Sequence, residues 1–330
     1  MIDLNITGLV EEIQKIQPKT IVMQFPEGIK VYTTEIVQEI EQKTGAKVIA
    51  LMDPCFGACD LAEDEVKKFN ADLLVHLGHS QFISPNQKTI FWPFSYEIEI
   101  RPLIKKLNQE MKKHSFKKIS LCGTIQYLKY LDEIKKDLEK QKIEVFIAKG
   151  NQRISDEGQV LGCNYSSVSK FDKEIDATIY IGDGLFHPVG ISFNSRKPVI
   201  IINPLNEEVT FLEEQHDKYL RKRFGVISSA MNAKSFGILI TTKNGQMQYG
   251  LAQVLKKQIE EKGKTAILLG MDLIKPDYVM GIKVDCFVNT ACPRIATDDT
   301  SNYRVPVLSA NELQIVLGNK KLEELKVEEI

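Results

Sequence analysis

No stretch of this 330-residue chain approaches the ~20 consecutive apolar residues that a membrane-spanning helix needs, so no membrane span is expected. Charge of one sign is also missing. Lys+Arg number 43 against 44 Asp+Glu, a formal net charge of −1. That balance excludes a broadly basic nucleic-acid binder and leaves room only for a local basic patch. The start, Met1-Ile2-Asp3-Leu4-Asn5, lacks a basic n-region, and acids follow at Glu11 and Glu12. A mature cytoplasmic protein is the expectation. Cysteine is scarce: six, at positions 55, 59, 122, 163, 286 and 292, too few and too scattered for a disulfide scaffold. No Cys-x-x-Cys pair of the zinc-site kind occurs. Any special cysteine is therefore expected to be a reduced thiol with a metal-binding or catalytic role. What remains, 43% hydrophobic and 26% charged residues, is the balance of an ordinary globular protein.

Strand-like and helix-like segments alternate along the whole chain. Apolar residues from Ile2 to Ile16 have helical spacing, and Thr20 to Phe25 reads as a short buried strand. A helix over Val31 to Lys43 and a strand at Val48 to Met52 follow. This order argues for βαβ units and mainly parallel sheets. It recurs twice, opening at Lys118-Ile119-Ser120-Leu121-Cys122-Gly123 and at Ser235-Phe236-Gly237-Ile238-Leu239-Ile240-Thr241. A later strand in each round starts with an aspartate: Asp72, Asp176 and Asp285. The expected architecture is α/β, with three similar small domains around a pseudo-threefold centre, each about 100 residues long. The expected limits are 1–115, 116–230 and 231–330, with a helical stretch from Thr210 to Phe224 leading into the last. One long doubly wound sheet is the alternative. The charged tail from Asn319 to Leu325 reads as a solvated helical end.

The cysteines sort by setting. Cys122 and Cys286 sit inside apolar strands and read as packing thiols, while Cys55 is ambiguous. Cys59, Cys163 and Cys292 each follow small neighbours just past a strand, and the carboxyl ends of strands are where open α/β sheets bind ligands. One falls in each expected domain. Three thiolates at one centre hold zinc or an iron–sulfur cluster; three inert cysteines are the alternative. The usual radical S-adenosylmethionine loop, Cys-x3-Cys-x2-Cys, is absent, because Cys55-x3-Cys59 continues as Asp60-Leu61-Ala62.

At these residues the chain resembles a known family. Asp53-Pro54-Cys55-Phe56-Gly57-Ala58-Cys59-Asp60, Asn289-Thr290-Ala291-Cys292-Pro293-Arg294-Ile295, Phe25-Pro26-Glu27-Gly28 and the segment from Tyr180 to Pro188 are similar to hallmark segments of the archaeal diphthamide-synthesis enzymes. The resemblance implies three α/β domains, each giving one cysteine to a [4Fe–4S] cluster: Cys59, Cys163 and Cys292. It implies S-adenosylmethionine as cofactor and donor, a homodimer, and a histidine of elongation factor 2 as acceptor. Transfer of a 3-amino-3-carboxypropyl group to imidazole C2 would release methylthioadenosine, with an external electron donor. All three cysteines are present, which favours a self-sufficient catalytic chain.

Five further residues are candidate cofactor contacts. Gly28 and Asp183-Gly184 lie in turns whose backbone N–H groups can meet an anion, or they form plain turns. Arg294 can pair with a carboxylate, or is an exposed charge. His187 lines a pocket, or is a structural histidine. His76 and His79 read as packing or capping residues, and Arg221-Lys222-Arg223 as a solvated helix face. Two other functions compete: a quinolinate synthase-like [4Fe–4S] enzyme, and a non-catalytic α/β nucleotide-binding or accessory protein.

Overall fold

The computed structural model describes residues 2–195 and 197–329, with the Glu213 side chain left aside. Three parallel sheets follow one another along the chain, all built in the same order. The first places Thr20–Gln24 between Lys47–Leu51 and Leu73–Leu77, with Thr89–Trp92 outermost. The second places Lys118–Gly123 between Glu144–Phe146 and Ala177–Ile181, then Val199–Asn203. The third places Ser235–Thr241 between Thr265–Met271 and Cys286–Asn289, then Val307–Ser309. The second sheet alone adds an antiparallel edge strand, Glu208–Phe211.

The register repeats as well as the order. Thr20, Lys118 and Ser235 face Lys47, Glu144 and Thr265 on the neighbouring strand. At the same level the three aspartates close matching backbone latches, the third with an added bond from Ser235 Oγ at 2.9 Å. Asp72 Oδ2 accepts from the backbone N–H of Lys19 and Thr20 at 2.8 and 2.9 Å. Asp176 Oδ2 accepts from Lys117 and Lys118 at 2.7 and 2.9 Å. Asp285 Oδ2 accepts from Lys234 and Ser235, both at 2.9 Å. These donated bonds favour the ionised carboxylate, so all three stand below the usual aspartate range.

The central strands are covered on both faces, as all-parallel sheets require. Leu73–Leu77 and Ala177–Ile181 are buried at every residue. Helices Ile6–Ile16 and Thr33–Thr44 put Leu9, Ile13, Ile36 and Ile40 against one face of the first sheet. Each fully buried aliphatic side chain of this kind contributes about 1.5–3 kcal/mol. Helix Ile100–Met111 precedes the second sheet in sequence but packs into its core, beside Ile119, Leu121 and Ile134. Helix Glu213–Ala230 sends Ile227 and Ala230 into the third core, and Leu220 packs partly buried against both the second and the third.

Two segments differ from expectation. Thr210 and Phe211 pair with Ile201 and Ile200, so the helix expected from Thr210 starts after them, and it runs on to Ala230. The tail forms only a short 3-10 turn, Leu322–Glu324. Its Leu325 and Val327 are buried in the third and second cores, so the tail straps those sheets together instead of forming a solvated helix.

Candidate metal centre

Loops from the carboxyl ends of all three sheets meet at one cavity of about 250 Å³. Cys59, Cys163 and Cys292 all line it. Phe56, Phe82, Ile125, Val160, Leu161 and Phe186 supply apolar wall. All six cysteines are free. Cys122 and Cys286 are fully buried in apolar clusters away from the cavity, as packing thiols.

The three cavity thiols sense one another. Burial raises Cys163 far above the usual thiol range, and Cys59 and Cys292 raise it further. Burial pushes Cys292 up to about 11, against a backbone N–H of Arg294 that favours the thiolate. Burial also raises Cys59, opposed by an amide hydrogen bond from Gln246. Buried thiolates at close quarters need a cationic group to hold them ionised, and soft metals suit them. Among the described residues, the group whose ligand atoms lie within 4.8 Å of one another is Cys55, His76 and His79, not the three cavity cysteines. The three cavity sulfurs are therefore spread more widely than that group.

The loops are locked in place by contacts between sheets. Gln126 Nε2 donates to the Gly78 carbonyl at 3.2 Å, and Gln159 Nε2 to Ser80 Oγ at 2.7 Å, joining second to first. Lys243 pairs with Asp60 at 2.6 Å, joining third to first. The Arg294 guanidinium lies over the Phe186 ring at 4.9 Å, joining third to second. Below the Cys292 loop, buried Arg223 binds Glu312 with two N–H groups and also donates to the carbonyls of Ala296 and Val307. Arg223 is thus no solvated helix face, because its partners are Val307 on the third sheet and Ala296 and Glu312 on the helices beside it.

Of the five candidate cofactor contacts, His187 and Arg294 line the cavity and Gly28, Asp183 and Gly184 do not. Burial and the Arg294 charge push His187 down to about 4, so it is a neutral imidazole. Arg294 already pairs with Asp298 at 2.8 Å. Gly28 lies exposed in the 3-10 turn Glu27–Tyr32, and Asp183 and Gly184 are exposed past Ala177–Ile181. Burial raises the Tyr96 hydroxyl, and the charges of Asp183 and Tyr32 raise it further, so both loops lie within electrostatic reach of that ring.

His79 lines the cavity too, where a packing role was expected. Gln24 is oriented by donating to the Asp60 carbonyl at 2.8 Å and accepting from Ala62 N–H at 3.0 Å. Its Oε1 therefore receives the proton of His76 Nδ1 at 3.0 Å. His76 Nε2 then accepts from His79 Nδ1 at 3.0 Å, and the His79 ring also bonds the Leu77 backbone. Burial keeps both rings neutral, His76 pushed down to about 3 and His79 to about 4. The one sequence signal for this chain was a Gly-His step, Gly78-His79, at the carboxyl end of a buried strand.

Residues 25–326 match the family described as "Putative diphthamide synthesis protein". The chain belongs to that family. The diphthamide-synthesis match extends to individual relatives. The chain is 35% identical to the 2-(3-amino-3-carboxypropyl)histidine synthase of Pyrococcus horikoshii, over 98% of this chain and 92% of that one. The synthase of the same name from Methanocaldococcus jannaschii is 30% identical, over 96% and 90%. The crystal structure of Dph2 from Pyrococcus horikoshii with a 4Fe–4S cluster superposes with a TM-score of 0.92 at 32% identity, covering 100% of this chain and 95% of that one. Membership of the diphthamide family decides against the quinolinate synthase reading, and the α/β architecture with mainly parallel sheets is that of its structural relative.

Proposed function

We propose that this chain carries out the first step of diphthamide biosynthesis, as a 3-amino-3-carboxypropyl transferase. It moves that group from S-adenosylmethionine to imidazole C2 of a histidine in elongation factor 2 and releases methylthioadenosine. The observation that carries the reading is the meeting of Cys59, Cys163 and Cys292 on one cavity, in a chain that aligns end to end with synthases of this name.

Cys59, Cys163 and Cys292 would hold a [4Fe–4S] cluster, a group present in the Pyrococcus Dph2 structure. When bound, such a cluster supplies the electron for carbon–sulfur cleavage in the sulfonium, with one coordination position left open by the three protein ligands. The chain's own part is to aim and to exclude. Phe82 and Phe186 would keep water from the reacting groups. His187 and Arg294, which line the cavity, would contact the cofactor there. Gly28, Asp183 and Gly184 would contact a part of it that extends beyond the cavity.

The same reading includes a homodimer, an external electron donor and a cytoplasmic location. No helix among the described residues is long and apolar enough to cross a membrane. It also includes three domains, one per sheet. The packing of Ile100–Met111 with the second sheet favours a first limit before that helix instead of at 115.

The test is anaerobic incubation with dithionite, labelled S-adenosylmethionine and archaeal elongation factor 2. The expected products are methylthioadenosine and a histidine peptide heavier by one aminocarboxypropyl group. 5′-Deoxyadenosine as the main product, or an unmodified peptide, would sink the assignment.

A further inference from the structure

The first and second sheets leave their opening strand through a 3-10 turn, Glu27–Tyr32 and Ile125–Tyr130. The third does not. After Ser235–Thr241 an open loop runs to the helix Tyr249–Glu261. Four successive residues of this loop grip the Cys59 segment of the first sheet. Lys243 Nζ meets Asp60 Oδ2 at 2.6 Å, and Asn244 Nδ2 donates to Glu63 Oε2 at 3.0 Å. Gly245 N–H donates to the Cys59 carbonyl at 2.9 Å. Gln246 Nε2 reaches Cys59 Sγ at 3.1 Å. The approach requires glycine at 245, because a Cβ there would lie 2.5 Å from Cys59 Cα and 2.6 Å from its carbonyl oxygen.

We propose that Gln246 is a positioning residue that orients the Cys59 thiolate and raises the reduction potential of the metal group held there. The inference rests on the cluster reading above. A thiolate can only accept, so the amide presents Nε2 and not Oε1 to the sulfur. An N–H···S bond withdraws charge from the thiolate and weakens its donation to iron. The more negative, reduced state gains most from that, so the potential rises. The three sulfurs are unequal in this respect. Cys292 receives a backbone N–H from Arg294, and Cys59 its own backbone N–H. Cys59 has a side-chain donor, buried at 6% exposure and delivered by another sheet. Through it the third sheet acts on two of the three ligands, Cys292 directly and Cys59 through Gln246.

The test compares full-length wild type, Q246M, Q246E and N244A, each reconstituted anaerobically with iron and sulfide. Bound iron and sulfide are assayed, and the midpoint potential is measured by redox titration followed by electron paramagnetic resonance. Q246M removes the donor and should lower the potential. Q246E keeps the shape of glutamine, so it remains readable if Q246M fails to fold, and its carboxylate should lower the potential further. N244A cuts the contact with Glu63 without touching sulfur and should keep the wild-type potential. Unchanged potentials in both Gln246 variants would overturn the proposal. So would an equal shift in N244A, which would assign the effect to loop position. A wild type that takes up no iron and sulfide removes the cluster reading itself, a result distinct from either.

Discussion

The amino ends and the carboxyl ends of the three sheets are built on opposite plans. At the amino ends the same aspartate latch appears three times, with the same acceptor atom and the same pair of backbone donors. At the carboxyl ends the repeat holds for the first two sheets and fails in the third. Cys59 follows the strand Lys47–Leu51, Cys163 follows Glu144–Phe146, and Cys292 follows Cys286–Asn289. One opening connection is a loop where the other two are 3-10 turns. The difference teaches where each end is constrained. A latch serves its own sheet, so three copies can stay alike. A ligand loop serves a shared cavity, so each copy must adapt to the other two.

The largest test of that contrast is the ligand set. Cys59→Ala, Cys163→Ala and Cys292→Ala should each lose most bound iron and most transferase activity. Cys122→Ala should keep iron and lose only about 1 kcal/mol of stability. Full iron content in the Cys163 variant would break the shared-cavity reading.

Next in size is the buried pair beneath the Cys292 loop, with side chains 1% and 4% exposed. Glu312→Gln leaves the Arg223 charge without its partner and should cost about 3–5 kcal/mol in denaturant unfolding. The double variant Arg223→Met/Glu312→Leu should recover much of that loss. If it is as unstable as the single change, charge burial is not the cause.

A smaller effect is expected at Gly162, next to a ligand. A Cβ there would lie 1.8 Å from the Phe186 ring. Gly162→Ala should cost about 1–3 kcal/mol and lower iron retention with it. Wild-type iron binding would show that Phe186 moves freely and does not position the Cys163 loop.

The smallest effects should come from the latches, and they should be alike. Asp72→Asn, Asp176→Asn and Asp285→Asn are each expected to lower the melting temperature slightly and leave iron content unchanged. Each carboxyl is held below its unfolded value, near 3.9. Its contribution is therefore complete above about pH 4 and is lost as pH falls through the lower folded value. The gap between wild type and variant should close below pH 4. A gap that widens in acid, or one latch far larger than the others, would break the equivalence of the amino ends.

Much of the scaffold was legible because it is written locally. Lys118–Gly123 and Ser235–Thr241 have the ends their apolar runs suggest, and the three aspartates stood out as recurring strand openers. The Thr210 start was misread because an edge strand and a helix overlap in apolar spacing there; only pairing with Val199–Asn203 separates them. Cys59, Cys163 and Cys292 could be singled out by small neighbours at strand ends.

Their surroundings could not. Gln246 lies 187 positions from Cys59, and His79 is linked through His76 to Gln24, 52 positions before His76. The sequence by itself determined the repeating α/β order, the latches and the cysteine positions, because periodicity and strand-end chemistry act over a few residues. Tertiary structure alone decided which side chains face the cavity and which hydrogen bond reaches which sulfur. Those depend on how the three sheets dock, and docking is set by contacts between residues that the chain keeps far apart.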